Sequence, residues 1–113
     1  MDKMTSDKIH TIVIAKDFNE YTGYRYKSQS PGSSGEEFRE GFLLPSIKKH
    51  TSVKVNLNGV QNRILPSFLE EAFAGLARIK KWDLETFKKH IEIISDRNDY
   101  IEDIYFYIEN TQK

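Results

Sequence analysis

Ser67 is the residue whose surroundings come closest to a catalytic arrangement. It follows a predicted strand, Val53 to Leu57, and a turn, as the nucleophile of an α/β-hydrolase does. That nucleophile belongs to a G-x-S-x-G sequence, whereas Leu65-Pro66 and Phe68-Leu69 flank Ser67. Ser67 also stands three residues before Glu70, the spacing of a capping box. We therefore predict that Ser67 is a helix N-cap, and a serine hydrolase is the least favoured hypothesis.

Metal-binding residue types are present but are not grouped. The three histidines, His10, His50 and His90, lie far apart in the sequence, and a metal site would need at least two of them to converge with a carboxylate. The acidic clusters, around Glu37 and Glu70, fall in the first turns of predicted helices, where the helix dipole and solvent favour them. The chain has no cysteine. We predict no metal, no cofactor and no catalytic residue.

A serine- and glycine-rich segment, Ser28 to Gly35, could hold a phosphate at the N-terminus of the helix that follows it. Arg25 precedes this segment and could pair with a carboxylate or a phosphate. No P-loop lysine follows, and the two acidic residues after Gly35 would repel an anion or pair with Arg25. A small-ligand or nucleotide-sensing domain that uses Arg25, Ser34 and Gly35 is therefore the alternative hypothesis.

Composition narrows the class of protein. The 113 residues are 38% hydrophobic and 30% charged, which is typical of one globular domain. Seventeen basic and seventeen acidic residues cancel, so no net field attracts nucleic acid or an anionic membrane. No apolar run is long enough to span a bilayer. We expect one cytoplasmic domain over residues 1–113, with a flexible N-terminus at 1–8 and neither nucleic acid nor membrane as a partner.

Hydrophobic periodicity predicts an α/β fold. Strands are predicted at Ile9 to Ala15, Val53 to Leu57 and Ile91 to Ile94, with a short antiparallel edge strand at Tyr24 to Lys27. Helices are predicted after Ser34, at Ser67 to Ile79 and at Asn98 to Glu109. Strands that alternate with helices favour a small mixed sheet with a mostly parallel core and about three helices.

Local signals refine these elements. Ser34 and Glu37 have capping-box spacing, so a helix should begin there, and Pro45 should kink or close it. Val53 to Leu57 alternates apolar and polar residues, which is typical of a strand, and we expect this strand to be buried. The continuous apolar run at Ile12 to Ile14 instead suggests burial on both faces.

Two stretches of the sequence resemble the STAS-like domain family of unknown function. The first is Gly23-Tyr24-Arg25-Tyr26, then residues 34–39 (SGEEFR), with Leu44-Pro45 closing the helix. The second is a strand and a Gly-Val turn, residues 53–60 (VKVNLNGV), followed by residues 66–73 (PSFLEEAF).

The resemblance implies a STAS-type fold, with a mixed sheet and helices packed largely on one face. Anti-sigma-factor antagonists, which are STAS domains, dock a histidine-kinase-like ATPase through the turn and helix after the central strand. In them, phosphorylation of a serine at the start of that helix breaks the complex. Ser67 occupies the comparable position, although Pro66 replaces a small residue and the antagonists' Asp-Ser-Ser/Thr-Gly pattern is absent.

The favoured hypothesis is therefore a non-catalytic regulatory module that binds another protein through residues 61–71. Its candidate contact residues are Arg63, Pro66, Ser67, Phe68, Glu70 and Glu71. Ser67 is in addition a candidate phosphorylation site.

Overall fold

The computed structural model describes residues 9–111, so the predicted flexible segment 1–8 lies outside the described residues. Three strands form one parallel sheet in the order β1 (Ile9–Val13), β2 (Ser52–Asn56) and β3 (Ile91–Ile94). Val53 of β2 lies between His10 of β1 and Ile91 of β3. The predicted α/β class and parallel core are confirmed.

Five helical segments accompany the sheet within residues 9–111, against about three expected. A π-helical turn, Ile14–Phe18, follows β1 directly. Helices α1 (35–49) and α2 (66–80) precede and follow β2, and α3 (Leu84–His90) and α4 (Asn98–Thr111) precede and follow β3. Sequence analysis missed α3, which begins where the Asp83 side chain accepts a hydrogen bond from the Thr86 N–H (2.9 Å).

The hydrophobic core lies against one face of the sheet. Val53, Val55 and Leu57 are buried, whereas Lys54 and Asn56 between them are partly exposed, as their alternation predicts. β1 and the residue after it follow the same pattern, because Ile12 and Ile14 are buried and Val13 is not. The expectation that β1 is buried on both faces was therefore wrong.

The segment 24–27 is not a strand. It consists of bends and the start of a turn that leads into α1. Its carbonyl groups serve the helix instead of a sheet, since the N–H groups of Gly35 and Glu36 donate to the carbonyl oxygens of Tyr24 and Arg25 (both 3.0 Å). Those contacts replace the strand pairing that the sequence suggested.

Helix α1 continues through Pro45. A π-helical turn, Arg39–Leu43, precedes the proline, and the Leu44 N–H donates to the carbonyl oxygen of Arg39. The wider turn shifts the hydrogen-bond ladder just where proline has no donor to offer. The helix then runs on as Leu44–Lys49, so of the two predicted effects, a kink or an end of the helix, Pro45 does not cause the second.

Of the two predicted helix caps, the one at Ser34 is confirmed and the one at Ser67 is not. Ser34 and Glu37 form the expected capping box at the start of α1. Helix α2 instead begins at Pro66, with Leu65 as its N-cap and no capping side chain. Proline suits the first helical position because its missing N–H would be unsatisfied there. Ser67 is therefore in the first turn of α2, and its prediction as the N-cap was wrong.

Candidate functional site

Three arginines and two glutamates join α1, α2 and the segment before α1. We call Arg25, Arg39, Arg78, Glu70 and Glu71 the inter-helix ion cluster. Arg39 Nη1 lies 2.6 Å from Glu71 Oε2 and donates to the Glu71 carbonyl oxygen (2.9 Å). Arg25 pairs with Glu70 and with Glu71 (3.1 Å), and Arg78 pairs with Glu70 (2.6 Å). Both glutamates therefore bridge two arginines or more.

The centre of this cluster is buried. Arg39 and Glu71 are each 8% exposed, so neither charge could remain there without its partner. Burial alone would raise the pKa of the Glu70 carboxyl, but hydrogen bonds from Arg78 and Arg25 hold it below its ordinary value. Burial would lower the pKa of Arg39, and its hydrogen bonds to Glu71 and Glu40 raise it instead. Hydrogen bonds thus favour the charged forms of Glu70 and Arg39 in spite of their burial.

Both helices have a π-helical turn at this junction, Arg39–Leu43 in α1 and Glu70–Ala74 in α2. Gly75 gives the Arg39 guanidinium the room to reach Glu71, because a Cβ at position 75 would lie 2.7 Å from Arg39 Nη1. π-Helical turns often occur at functional sites. Here they accompany a buried ion pair that links two helices.

The predicted phosphate site at the start of α1 is filled by the protein itself. The first N–H groups of the helix donate to the Tyr24 and Arg25 carbonyl oxygens and to Ser34 Oγ. Ser34 is fully buried, and its hydroxyl also donates to Glu37 Oε1 (2.8 Å). Gly35 is needed for close packing, because a Cβ there would lie 2.7 Å from the Phe68 carbonyl oxygen. Arg25, Ser34 and Gly35 thus lie close together but stabilise the fold.

The connection between β2 and α2, residues 57–65, lies at the carboxyl edge of the sheet, and we call it the β2–α2 loop. Its Gln61 N–H donates to the Glu20 carbonyl oxygen (2.7 Å). The Asn62 amide donates to the Thr22 carbonyl oxygen (2.7 Å) and accepts from the Thr22 N–H (3.0 Å). The Ile64 N–H donates to the Tyr100 hydroxyl (2.9 Å). These hydrogen bonds fix the loop to residues 20–22 and to α4.

The predicted docking residues divide between surface and interior. Arg63 and Pro66 are exposed and Ser67 is partly exposed, next to the exposed Gln61 and Asn62. Phe68 is fully buried in the core. Glu70 and Glu71 belong to the inter-helix ion cluster. The structure therefore leaves Arg63, Pro66 and Ser67 as the predicted residues that a partner can reach.

A cavity of about 370 Å³ opens between this loop and the turn after β3. Arg63 and Arg97 line it, and both lie near one carboxylate: Arg97 Nη2 is 2.6 Å and Arg63 Nη2 is 3.8 Å from Asp99 Oδ2. The hydrogen bond from Arg97 lowers the pKa of Asp99. The Arg97 guanidinium also lies over the Tyr100 ring, 4.7 Å from its centroid. We call Arg63, Arg97, Asp99 and Tyr100, with the cavity, the carboxyl-edge site.

Arg63 was predicted from the sequence as a contact residue, whereas Arg97 and Tyr100 were not. The order of the strands could have indicated these two residues. Neighbouring parallel strands place the residues that follow them at the same edge of the sheet. Arg97 follows β3 as the β2–α2 loop follows β2, so the two segments meet there.

The histidines lie in two separate stacks. His10 and His50 stack with ring centroids 4.5 Å apart, and His90 stacks on Trp82 at the same distance. Within residues 9–111, no group of three or more histidine, aspartate or glutamate side chains is placed to hold a metal ion. In the same residues, no helix is both long and apolar enough to cross a membrane.

Comparison with protein families assigns the chain. The family model of the STAS-like domain of unknown function (DUF4325) matches residues 34–100, from the capping serine of α1 to Tyr100 in α4. The match covers more than half of the chain, which therefore belongs to this family. Neither the comparison with curated proteins nor the comparison with solved structures gave a significant match.

Proposed function

We propose that this STAS-like domain is a non-catalytic regulatory module that docks another protein through the exposed part of residues 61–67. We call this surface, formed by Gln61, Asn62, Arg63, Pro66 and Ser67, the docking surface. The observation that carries the proposal concerns the β2–α2 loop. Hydrogen bonds of its backbone and of the Asn62 side chain fix it in place, while its other polar side chains face solvent. A surface that is already ordered loses little conformational entropy when it binds.

The chemistry of the docking surface also favours a protein partner. Arg63 is 57% exposed in its side chain, and arginine is one of the residues that contribute most to protein interfaces. Gln61 offers an amide donor and acceptor beside it, and Pro66 adds a rigid apolar surface. A polar and ordered surface of this kind suits a reversible regulatory complex.

The position of Ser67 gives the proposed complex a means of control. Ser67 is in the first turn of α2, and its hydroxyl makes no hydrogen bond within residues 9–111. A phosphate there would be favoured by the helix dipole and would place about two negative charges on the docking surface. Phosphorylation of Ser67 would thus weaken docking without unfolding α2. The resemblance to the antagonists makes a histidine-kinase-like ATPase the partner class that we propose.

The alternative of a ligand sensor centred on Arg25 has less support. Arg25 pairs with Glu70 and Glu71, and the N-terminal N–H groups of α1 already have protein acceptors. A ligand at that place would first have to displace these contacts.

Site-specific photo-crosslinking in the native host tests the proposal. A photoreactive amino acid at Gln61 should give a discrete adduct with one protein. The same residue at Lys88, exposed on α3 at the amino end of β3, should give none. The Arg63→Glu substitution should abolish the adduct from position 61, because it reverses the charge beside the probe. Equal labelling from both positions, or an adduct that Arg63→Glu leaves unchanged, would contradict the proposal.

A further inference from the structure

We infer that the carboxyl-edge site binds a small organic phosphate, a phosphomonoester with a compact apolar or aromatic group. The site is distinct from the Arg25 region, and the inference concerns a small molecule rather than the docked protein. Four properties of the cavity support the inference: its position, its charge, its hydrogen-bond donors and its volume.

The place is where open parallel sheets bind ligands. The cavity lies beyond the carboxyl ends of β2 and β3, and both segments that leave these strands line it. Ligands of open α/β sheets bind outside the carboxyl ends of the strands, where the connections that leave the strands lie. The loop from β2 is fixed by the hydrogen bonds of Gln61, Asn62 and Ile64, so the wall of the cavity is already formed.

The charge of the site favours an anion. Two guanidinium groups face a single carboxylate, that of Asp99, so one positive charge remains uncompensated among these three residues. The side chain of Arg97 is held by two hydrogen bonds to Asp99 (2.6 and 3.1 Å) and by the Tyr100 ring beneath it. Arg63 is largely exposed, and its longer 3.8 Å contact with Asp99 is easily exchanged for a ligand. Asp96 is exposed on the same turn, but it does not line the cavity.

Several residues of the cavity lining also carry backbone donors. The N–H groups of Gly59, Asn62 and Arg63 donate to no acceptor within residues 9–111. The Tyr100 hydroxyl accepts from the Ile64 N–H and so keeps its own proton to donate. A phosphomonoester carries three terminal oxygens, each of which accepts more than one hydrogen bond. Two arginines with several backbone N–H groups suit this acceptor better than they suit a carboxylate.

The size of the cavity indicates an organic group beyond the phosphate. About 370 Å³ falls in the range of small-ligand pockets and exceeds the space that a bare phosphate needs. Leu57 and Ile64 are buried apolar residues of its wall, and Val60 is partly buried. Burial of a ligand's apolar group against them would add to affinity.

Titration of the ¹⁵N-labelled protein with phenyl phosphate, followed by NMR, tests this inference. We expect saturable shifts confined to residues 57–64 and 95–100. Inorganic phosphate and benzoate should each bind at least about tenfold more weakly, because one lacks the apolar group and the other the third oxygen. Arg63→Gln and Arg97→Gln should each reduce the affinity for phenyl phosphate about tenfold. Arg78→Gln, which removes the same charge from the inter-helix ion cluster, should leave that affinity unchanged.

The opposite results would overturn the inference. They are the absence of saturable shifts at these residues, benzoate or inorganic phosphate binding as tightly as phenyl phosphate, or an equal loss in the Arg78→Gln protein. Because Arg63 is exposed and makes one long ion pair, the Arg63→Gln protein should give a spectrum as well dispersed as the wild type, which keeps the test valid if Arg97→Gln perturbs the turn.

Discussion

The inter-helix ion cluster and the carboxyl-edge site are both built from arginines and carboxylates, but they differ in burial and in pairing. In the ion cluster, the side chains of Arg39 and Glu71 are each 10% exposed, and each glutamate contacts more than one arginine. At the carboxyl edge, the side chains of Arg63 and Arg97 are 57% and 46% exposed and share one aspartate.

This difference in burial and pairing indicates which charged side chains stabilise the fold and which are available to bind a ligand or a partner. A buried ion pair is strongly destabilising to break, because the remaining charge has no solvent to replace its partner. An exposed arginine contributes little to stability and can exchange its contacts for a ligand. Substitutions in the first group should change the free energy of unfolding, and substitutions in the second should change binding alone.

The largest effect on stability is expected from Arg39→Met. This change removes one half of the buried pair and leaves Glu71 with Arg25 and a distant contact to Arg78, so we expect a loss of about 3 kcal/mol in the free energy of unfolding. Urea denaturation measures it. As a matched control, Arg63→Met should cost less than about 0.5 kcal/mol.

The double variant Arg39→Met with Glu71→Gln sharpens this prediction. It removes both charges of the pair, so it should recover part of the stability that Arg39→Met loses. Equal costs for Arg39→Met and Arg63→Met would show that the two clusters do not differ as we describe.

A smaller effect is expected from Gly35→Ala. The new Cβ would lie 2.7 Å from the Phe68 carbonyl oxygen, which forces the starts of α1 and α2 apart. We expect a loss of about 1–3 kcal/mol by thermal or urea denaturation. Gly41→Ala is the control, since no atom lies within 4 Å of a Cβ there. A Gly35→Ala protein as stable as the Gly41→Ala protein would argue against close packing as the reason for this glycine.

The two serines at the helix starts provide a third comparison. Ser34→Ala removes a capping box from α1 and should cost about 1 kcal/mol in the free energy of unfolding. Ser67→Ala removes a hydroxyl without a hydrogen bond in residues 9–111 and should cost only a few tenths of a kcal/mol. Comparable losses would mean that Ser67 caps α2 after all.

The smallest effect concerns pH. The folded protein holds the pKa of Glu70 below its ordinary value of 4.5, so ionised Glu70 favours the folded state. This contribution is fully present above pH 4.5 and is lost as the pH falls through the lower pKa of the folded state. Arg78→Gln removes one cause of the shift and should reduce the dependence of stability on pH below 4.5. Unfolding curves collected across this range measure it, and an unchanged dependence would show that Arg78 does not set the pKa.

Local patterns predicted the elements more successfully than the contacts between them. The capping box of Ser34 and Glu37 needs only the chain between these residues, so its spacing was sufficient. At Ser67 two local signals competed, and the proline before it fixed the helix start two residues earlier than capping-box spacing suggested. The single buried face of β2 follows from its alternation alone.

The contacts of the arginines could not be predicted in this way. Arg25 was expected to pair with a ligand or with acids just after Gly35, yet its partners are Glu70 and Glu71, which only the packing of α2 brings near. The π-helical turns of α1 and α2 likewise lie where these two helices meet around Arg39, and they have no local signature in the sequence. Arg97 lies near Arg63 because β2 and β3 are neighbouring strands. The order of elements along the chain indicates this only once the order of the strands in the sheet is known.

The measurement that tests the central claim most directly compares Arg63→Gln with Arg78→Gln in binding to the protein captured from position 61. The two changes remove the same charge, one from the docking surface and one from the inter-helix ion cluster. We expect Arg63→Gln to weaken the complex about tenfold at unchanged stability, and Arg78→Gln to leave the dissociation constant within about twofold of the wild type. Equal weakening by both substitutions, or weakening by Arg78→Gln alone, would contradict the assignment of binding to the carboxyl edge of the sheet.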